Sequence, residues 1–498
     1  MLTDKKIKTF TSEPYNFISG EILERNFSFS PQSHRQISVP SVNYVPLSSL
    51  IEKKQKGFEP GSADYITFGD NHFVRISEMS DTDFTFSISN QTKKLLPQEK
   101  GSLINEGDLC YQTASNVGNV CFYYGKKAFY NSHILKLELK EEDKFYIFGI
   151  LKSAYNKEQV DIGGSIKGLD NFSEDFLNNT MIPMPKNQES KKLLSLIVQN
   201  IIDKEQQIKL KNKEINSLIK NELETHSHTE LKMPVSNEVL QNNFRFDSGL
   251  YSPEYKAIKE SIEFYEGGYF NLLDHYNSKR GQNLQVSNIG ISIYTNEKKD
   301  NFYRLVTNVE FTEDRTISTF RYLGNKKDLT LIPNDCIMLS ADGSVGRCIY
   351  VDDLGKTITN IHPWILTAKD KNRAKHKNIF TAMFLGYLRT VGYYEKIQDK
   401  SNGGGIKAPH LENWIKIPEF PDTLQCIISK KYHNKIDRNK DLTLENYLGK
   451  EKERNAKLGI WQLNMELFDL KDQIENLVHD IVYDIEIKIE DYLQKQED

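Results

Sequence analysis

At 498 residues, with 38% hydrophobic and 27% charged side chains, the chain has the composition of a soluble globular protein. It also exceeds what one hydrophobic core usually supports, so two or more domains are expected. Its formal net charge of -4 argues against a generic polyanion binder, because sequence-independent affinity for DNA comes from clustered Lys and Arg.

In chain order, the N-terminal MLTDKKIKTFTSEPYN has lysines but no apolar core after them, so it is not a secretory signal, and no apolar run approaches the roughly 18 residues of a membrane span. A cytoplasmic location is expected. From about Phe17 to Pro185 short alternating runs are separated by Gly, Asn and Ser, with a helix expected near Lys144 to Asn156, a mixed α+β pattern. From Glu189 to Glu224 there is no Gly or Pro. Leu194, Ile201, Ile208 and Ile215 recur every seven residues there, with Ile197 and Leu218 in the intervening register, which is a heptad seam. The segment Phe246 to Pro418 repeats the α+β pattern, with a helix near Asn378 to Lys396. The stretch from Gln425 to Leu458 is polar and lysine-rich and reads as an insertion. A second seam closes the chain: Leu463, Leu470 and Leu477 in one register, Leu467, Ile474 and Ile481 in the other.

The two halves match in order. EILERNFSF at Glu21 answers to EVLQNNFRF at Glu238, and GDLCYQTASNVGNVCFYY at Gly107 to NDCIMLSADGSVGRCIYV at Asn334, whose turn aligns as one residue longer. Asn131-Ser132-His133 answers to Asn360-Ile361-His362, IGGSIKG at Ile162 to NGGGIKAP at Asn402, and Ile182-Pro183 to Ile417-Pro418. Of the five cysteines, Cys110, Cys121, Cys336 and Cys348 fall at matching places in strand-like runs and are expected to be buried. With Cys426 they form no Cys-x-x-Cys pair and have no His at metal spacing, so neither zinc nor disulfides are expected.

A unit of roughly 220 residues is too long for a solenoid repeat, so the chain reads as two copies of one domain, each trailed by a helix. The expected boundaries are 1–187 for the first domain, 188–230 for a central spacer helix, 231–421 for the second domain, and 422–498 for the insertion and C-terminal spacer helix. Because a whole domain separates the helices, they can pair antiparallel.

This order of elements, with the terminal LKDQIENLVHDIVYDI, resembles the DNA-specificity (S) subunit of type I restriction-modification systems. The resemblance implies an α+β fold of two tandem target-recognition domains separated by two long helices that form an antiparallel coiled coil. It also implies a partner set of double-stranded DNA and methyltransferase subunits, two of them, and leaves restriction/translocase subunits open. A seam of some 30 residues spans about 45 Å at 1.5 Å per residue, against about 34 Å between half-sites one turn apart, so rigid helices could set the spacing of two readers. Since the halves differ in sequence, the expected site is asymmetric and bipartite.

On that reading the base-reading candidates are Gln112, Thr113, Ser115 and Asn116 in the first hairpin turn, and Ser340, Asp342, Ser344 and Arg347 in the second. Their amides, hydroxyls and guanidinium are types that pair with base edges, although the same residues are ordinary turn chemistry. Lys167 and Lys407, beside the Gly-rich loops, are candidate phosphate contacts, and so are the basic pairs and runs at Lys279-Arg280, Arg321 with Lys326-Lys327, and Lys369 to Lys377. His133 and His362 read as structural histidines.

Catalytic motifs fail. There is no Asn/Asp-Pro-Pro-Tyr/Phe sequence and no Gly-rich loop for S-adenosylmethionine. The segment Leu354-Gly355-Lys356-Thr357 has Tyr350 where a P-loop needs its first Gly. No His-Glu-x-x-His occurs, and Ser344 in DGSVG lacks the first Gly of a nucleophile elbow. A non-catalytic chain without cofactor or metal is expected, either a DNA-recognition subunit or a two-domain protein-interaction scaffold that does not read DNA.

Overall fold

A computed structural model describes residues 43–89, 92–98, 101–164, 177–178, 180–227, 248–398 and 404–493. The matched segments at Glu21 and Glu238, and Lys167, lie outside them. The chain divides into two compact units, one of residues 1–206, 437–456 and 466–498, the other of residues 207–436 and 457–465.

In the first unit, runs of apolar residues buried on both faces, LCYQ and VCFY, form the hairpin of β8 (Leu109–Gln112) and β9 (Val120–Tyr123). Their sheet runs in the order β2 (Ile51–Lys56), β11 (Ile134–Leu139), β8, β9, β5 (Thr85–Phe86). A second sheet runs β3 (Tyr65–Ile66), β6 (Lys93–Leu95), β4 (His72–Val74), β10 (Ala128–Tyr130), β7 (Leu103–Ile104), and β1 (Asn43–Pro46) pairs with β12 (Met181–Met184). Val74, Phe86, Ile104, Cys110, Cys121, Tyr123, Tyr130 and Ile134 make the core of this domain. Helix α1 (Glu141–Lys152) lays Phe148 on Phe122 of β9, ring centres 4.6 Å apart. It breaks at Ser153 and continues as α2 (Ala154–Gly164).

The second unit repeats this plan. Its main sheet runs β14 (Tyr276–Arg280), β21 (Pro363–Ala368), β18 (Cys336–Ser340), β19 (Cys348–Val351), and its other sheet β15 (Ile293–Thr295), β17 (Arg321–Gly324), β16 (Tyr303–Leu305), β20 (Thr357–Ile358). The edge pair is β13 (Tyr269–Asn271) with β22 (Lys416–Pro418). Strand for strand, β14, β21, β18 and β19 stand where β2, β11, β8 and β9 stand. The one parallel pair inside the smaller sheet recurs too, β10 on β4 and β20 on β16. Ile182-Pro183 and Ile417-Pro418 occupy the same edge pairing.

The hairpins correct the residue matching made on sequence. Gln112 and Asn119 close the first, Ser340 and Arg347 the second, through the same backbone bond of 2.8 and 2.7 Å, so the turns are equal in length. Three left-handed positions confirm the register: Gly107 and Asp335, Ser115 and Gly343, Gly118 and Gly346, all with positive φ. Each is displaced by 228 residues, which sets Cys110 opposite Met338 and Cys121 opposite Ile349 rather than opposite another cysteine. All four of these cysteines are buried.

Short helices at α4 (Pro253–Glu263), α5 (Leu272–His275) and α6 (Val286–Ile289) precede α7 (Lys375–Thr390), α8 (Tyr393–Ile397) and α9 (Ala408–Asn413) in the second unit. α7 and α8 repeat the placement of α1 and α2.

The apolar seam after the first domain becomes a 39-residue helix, α3 (Gln188–His226). The matching helix after the second domain is interrupted: α10 (Asp422–Tyr432), α11 (Tyr447–Lys457), α12 (Ile460–Val482) and the short α13 (Ile489–Leu493). The region read as an insertion is thus largely helical, and α10 covers its start. In the first unit, Lys186 meets Asp484 at 3.3 Å and Lys204 meets Glu466 at 2.6 Å, so eighteen residues forward along one segment match eighteen back along the other. The helices run antiparallel there. Every expected seam residue is buried except Leu218, which is half-exposed while Ile219 and Leu223 are buried in its stead. The reason is the 3.6-residue period: a straight helix drifts off a strict heptad, and 215, 219, 223 keeps the stripe on one side.

The first half of α3 is buried on more than one face, including Leu193, Leu196, Val198 and Ile202. Gly149 of α1 lets it approach, since a Cβ there would sit 3.0 Å from Leu194.

Between α3, α11 and α12 lies a buried polar cluster. Lys204 Nζ donates to Asn455 Oδ1 and Glu466 Oε2, both at 2.6 Å, Arg454 grips both oxygens of Glu466, and Glu451 stands 3.4 Å from Arg454 and 3.9 Å from Lys204. Burial opposes ionisation of Glu466, but Arg454 and Lys204 hold its carboxyl down to about 2. Desolvation, in contrast, draws Lys204 below its usual value despite Glu466.

Candidate nucleic-acid interface

In both units the hairpin turn is braced by the Asn-x-His turn that precedes the next strand. The His133 and His362 backbone N–H groups donate to Asn131 Oδ1 (2.9 Å) and Asn360 Oδ1 (3.1 Å), the same local lock. A close crossing fixes the neighbouring strand: a Cβ on Gly57 or Gly281 would strike the carbonyl of Asn131 or Asn360. Behind each turn lies a helix, with Val160 of α2 against Gly118 and Tyr394 of α8 against Gly346.

In the first unit the polar residues divide. Gln112 is 3% exposed, with Nε2 donating to the Ala114 carbonyl and Oε1 accepting from Asn119. Thr113 donates both N–H and hydroxyl to the His133 carbonyl at 2.9 Å. These two hold the turn's shape, because their polar groups are used inside the protein. Ser115 and Asn116 face solvent. Asn119 is fixed by Lys152 at the end of α1, whose ammonium lies 2.8 Å from Oδ1 and 3.0 Å from the Val120 carbonyl.

In the second unit Ser340 is buried, its hydroxyl on the Asp342 carbonyl. Asp342 lies at a junction of three segments. Its carboxylate accepts from Arg280 and stands 3.3 Å from His362 Nδ1, its backbone bridges Gly405, and Ile406 N–H donates to the Ala341 carbonyl at 2.8 Å. Arg280 binds this junction: it donates to the His362 and Ile406 carbonyls and stacks on Trp364, 4.1 Å from the ring centre. Its role in the structure is that of a brace for the Gly-rich loop. Arg347 is likewise engaged, to Glu313 (3.0 Å) and the Phe311 carbonyl (2.7 Å), and Arg389 of α7 takes both Glu313 oxygens. Although burial works the other way, Arg389 and then Arg347 keep the Glu313 carboxyl below its ordinary value. Lys279 and Lys407 are exposed, and Ser344 is half-exposed.

Two features escaped the sequence. Both imidazoles, read on sequence as structural groups, are exposed; the His133 and His362 backbone N–H groups carry the Asn-x-His bonds, and the His362 ring also stands against the Asp342 carboxylate. The exposed Lys53, Lys54 and Lys56 of β2 also went unremarked, though Lys56 occupies the place of Arg280 before the matching glycines. Their strand position was visible in IEKKQK, whereas the loop beside it was not. Of the other basic runs, Arg321 pairs with Glu310 (3.0 Å) and Lys375 with Asp352, so these charges are partly neutralised locally. Thr357 of the P-loop-like segment is buried, its hydroxyl on the Leu354 carbonyl.

Residues 41–224 match the family model described as the type I restriction modification DNA specificity domain. No curated protein matches the chain. Among solved structures, the S subunit of a type I restriction-modification system from M. genitalium is similar at 14% identity over 90% of this chain and 98% of that one, with a TM-score of 0.36. The HsdS subunit from Thermoanaerobacter tengcongensis gives 14%, 90% and 98% with 0.27. A chain from a structure of the assembly and conformational transition of the type I R-M system gives 13%, 91% and 100% with 0.28. No described helix is long and apolar enough to cross a membrane.

Proposed function

Because residues 41–224 match the family model of the type I restriction modification DNA specificity domain, we propose that the whole chain is the DNA-recognition subunit of such a complex. Each unit reads one half of an asymmetric bipartite site, and the helices hold the readers at a set spacing. Methyltransferase subunits, two per chain, supply the chemistry, with restriction/translocase subunits joining where the system cleaves.

The observation that carries this reading is the repetition of one surface with unlike side chains. The hairpin turn, the Asn-x-His turn and the basic strand beside it recur in both units, while Ala114, Ser115, Asn116 and Asn119 are replaced by Asp342, Gly343, Ser344 and Arg347. A scaffold kept constant under a varied rim is what reading two different half-sites requires. Ser115 and Asn116 in the first unit, and Ser344 and Arg347 in the second, are the base-facing groups, while Asp342, held by Arg280 and His362, fixes the turn between them. Lys279 and Lys407, with Lys167 in the first half, supply phosphate contacts, and Gln112, Thr113, Ser340 and Arg280 set the shape of the loops that present them.

Selection of bound duplexes from a random pool tests this. A consensus of two unlike half-sites around a fixed unread gap is expected. Recovery of no enriched sequence at low salt would refute it and favour a scaffold that binds other proteins alone.

A further inference from the structure

α10 turns one stripe toward the start of α7. Asp422 and Cys426 stand one helical turn apart, and Ser429, three residues on, donates its hydroxyl to the His376 carbonyl at 2.6 Å, the i, i+4, i+7 pattern of a single helix face. His376 lies in the first turn of α7. Its Nε2 is 2.8 Å from Asp422 Oδ1, and Cys426 Sγ is 3.9 Å from Asp422 Oδ2. One ligand atom from each of the three residues falls within 4.8 Å of the others. The sequence hid this group, because His376 is distant in the chain from the Asp-x-x-x-Cys pair.

An imidazole nitrogen, a carboxylate oxygen and a thiolate sulfur are the donors that zinc takes, at bond lengths of about 2.0–2.3 Å, which place tetrahedral ligands about 3.5 Å apart. The three side chains already stand close to that spacing, on two helices tied by the Ser429 hydroxyl. We propose that His376, Asp422 and Cys426 form a site for a zinc-class dication, with solvent as fourth ligand. Cys426 binds as thiolate, its proton passing to solvent. Lys377, 3.5 Å from Asp422 and 41% exposed, swings out on its flexible stem when the ion enters. The bound ion clips the helix that leaves the last strand of the second domain to the helix packed under its hairpin. A thiolate ligand selects zinc or cobalt over magnesium. The other four cysteines are at most 1% exposed, and burial pushes Cys121 up to about 11 and Cys336 up to about 12, so they do not compete.

The full chain, reduced and stripped with a chelator, is titrated with Co²⁺. One equivalent should develop a sulfur-to-cobalt absorption band that Zn²⁺ displaces and that Cys426→Ser lacks. In the unaltered chain, stoichiometric Zn²⁺ but not Mg²⁺ should slow alkylation of Cys426 by about tenfold or more, since the bound thiolate is masked. No cobalt–sulfur band, a band that survives in Cys426→Ser, or an unchanged alkylation rate with Zn²⁺ would overturn the proposal and leave the group a helix-to-helix ion pair. The alkylation measurement needs no variant, so it decides the matter even where Cys426→Ser fails to fold.

Discussion

Glu466→Gln is the sharpest perturbation of the helical part of the first unit. The glutamine keeps the shape of the side chain but removes the carboxylate that balances two buried cations, Lys204 at 1% and Arg454 at 6% side-chain exposure. Glu451 would still face both, at 3.9 and 3.4 Å. Removing one partner of a buried pair leaves an uncompensated charge, which costs about 3–5 kcal/mol. A second estimate comes from protonation. The Glu466 carboxyl falls from an ordinary 4.5 to about 2, and at about 1.4 kcal/mol per pH unit that is on the order of 3 kcal/mol. The sign follows from the depressed value: the stabilisation is complete above the unfolded 4.5 and is lost as pH falls from there toward 2. Urea unfolding followed by circular dichroism should therefore show an unfolding free energy lowered by about 3–5 kcal/mol at pH 7, with the variant and the parent converging as pH approaches 2. Replacing the pair together, Lys204→Met with Glu466→Leu, should recover part of the loss. A change below about 1 kcal/mol at pH 7 would refute the assignment of this cluster as a desolvated network, since that is the range of exposed pairs.

Gly346→Ala should destabilise more than Gly355→Ala. Both glycines are left-handed, which costs about 1–2 kcal/mol with a Cβ, but only at Gly346 does the new methyl run into a ring, that of Tyr394, while nothing lies within 4 Å of it at Gly355. Overpacking adds about 1–3 kcal/mol; equal thermal shifts for the two variants would show that α8 yields freely. Inserting four residues near Lys211 of α3 should lengthen the gap between half-sites or abolish binding, and an unchanged gap in the selected duplexes would mean the helix does not set the spacing. Arg347→Ala should alter preference in one half-site only. Equal weakening on every sequence, with a shallower salt dependence, would make it a phosphate contact.

The duplication, the order of its elements and the two apolar stripes were legible in the residues alone, because strand and helix periods are local and a copied domain keeps them. The sheet orders bear this out: Gly-punctuated runs at Cys110 and Cys336 became the same hairpin in the same place. Residue-level matching slipped by one at that hairpin because backbone conformation is not written in residue type. Ser115 and Asp335 adopt left-handed geometry where the matching positions are Gly343 and Gly107, and identity alone aligned glycines to the wrong neighbours. The heptad seam was right until Leu218, where a straight helix leaves a seven-residue count behind.

What the chain determined by itself is therefore its architecture: two copies of an α+β domain, each continued by an amphipathic helix. Tertiary structure decided which polar side chains look outward. It turned Gln112 and Thr113 inward and left Ser115 and Asn116 at the surface. It tied Arg280 to the loop carbonyls of His362 and Ile406, and it brought Lys204, Arg454 and Glu466 into one buried cluster. The physical reason is that, apart from the local bonds of Gln112, these groupings join residues distant in the chain, such as Thr113 with His133, Arg280 with His362 and Lys204 with Glu466. Chain periodicity reports on neighbours a few residues away, and only packing selects distant partners.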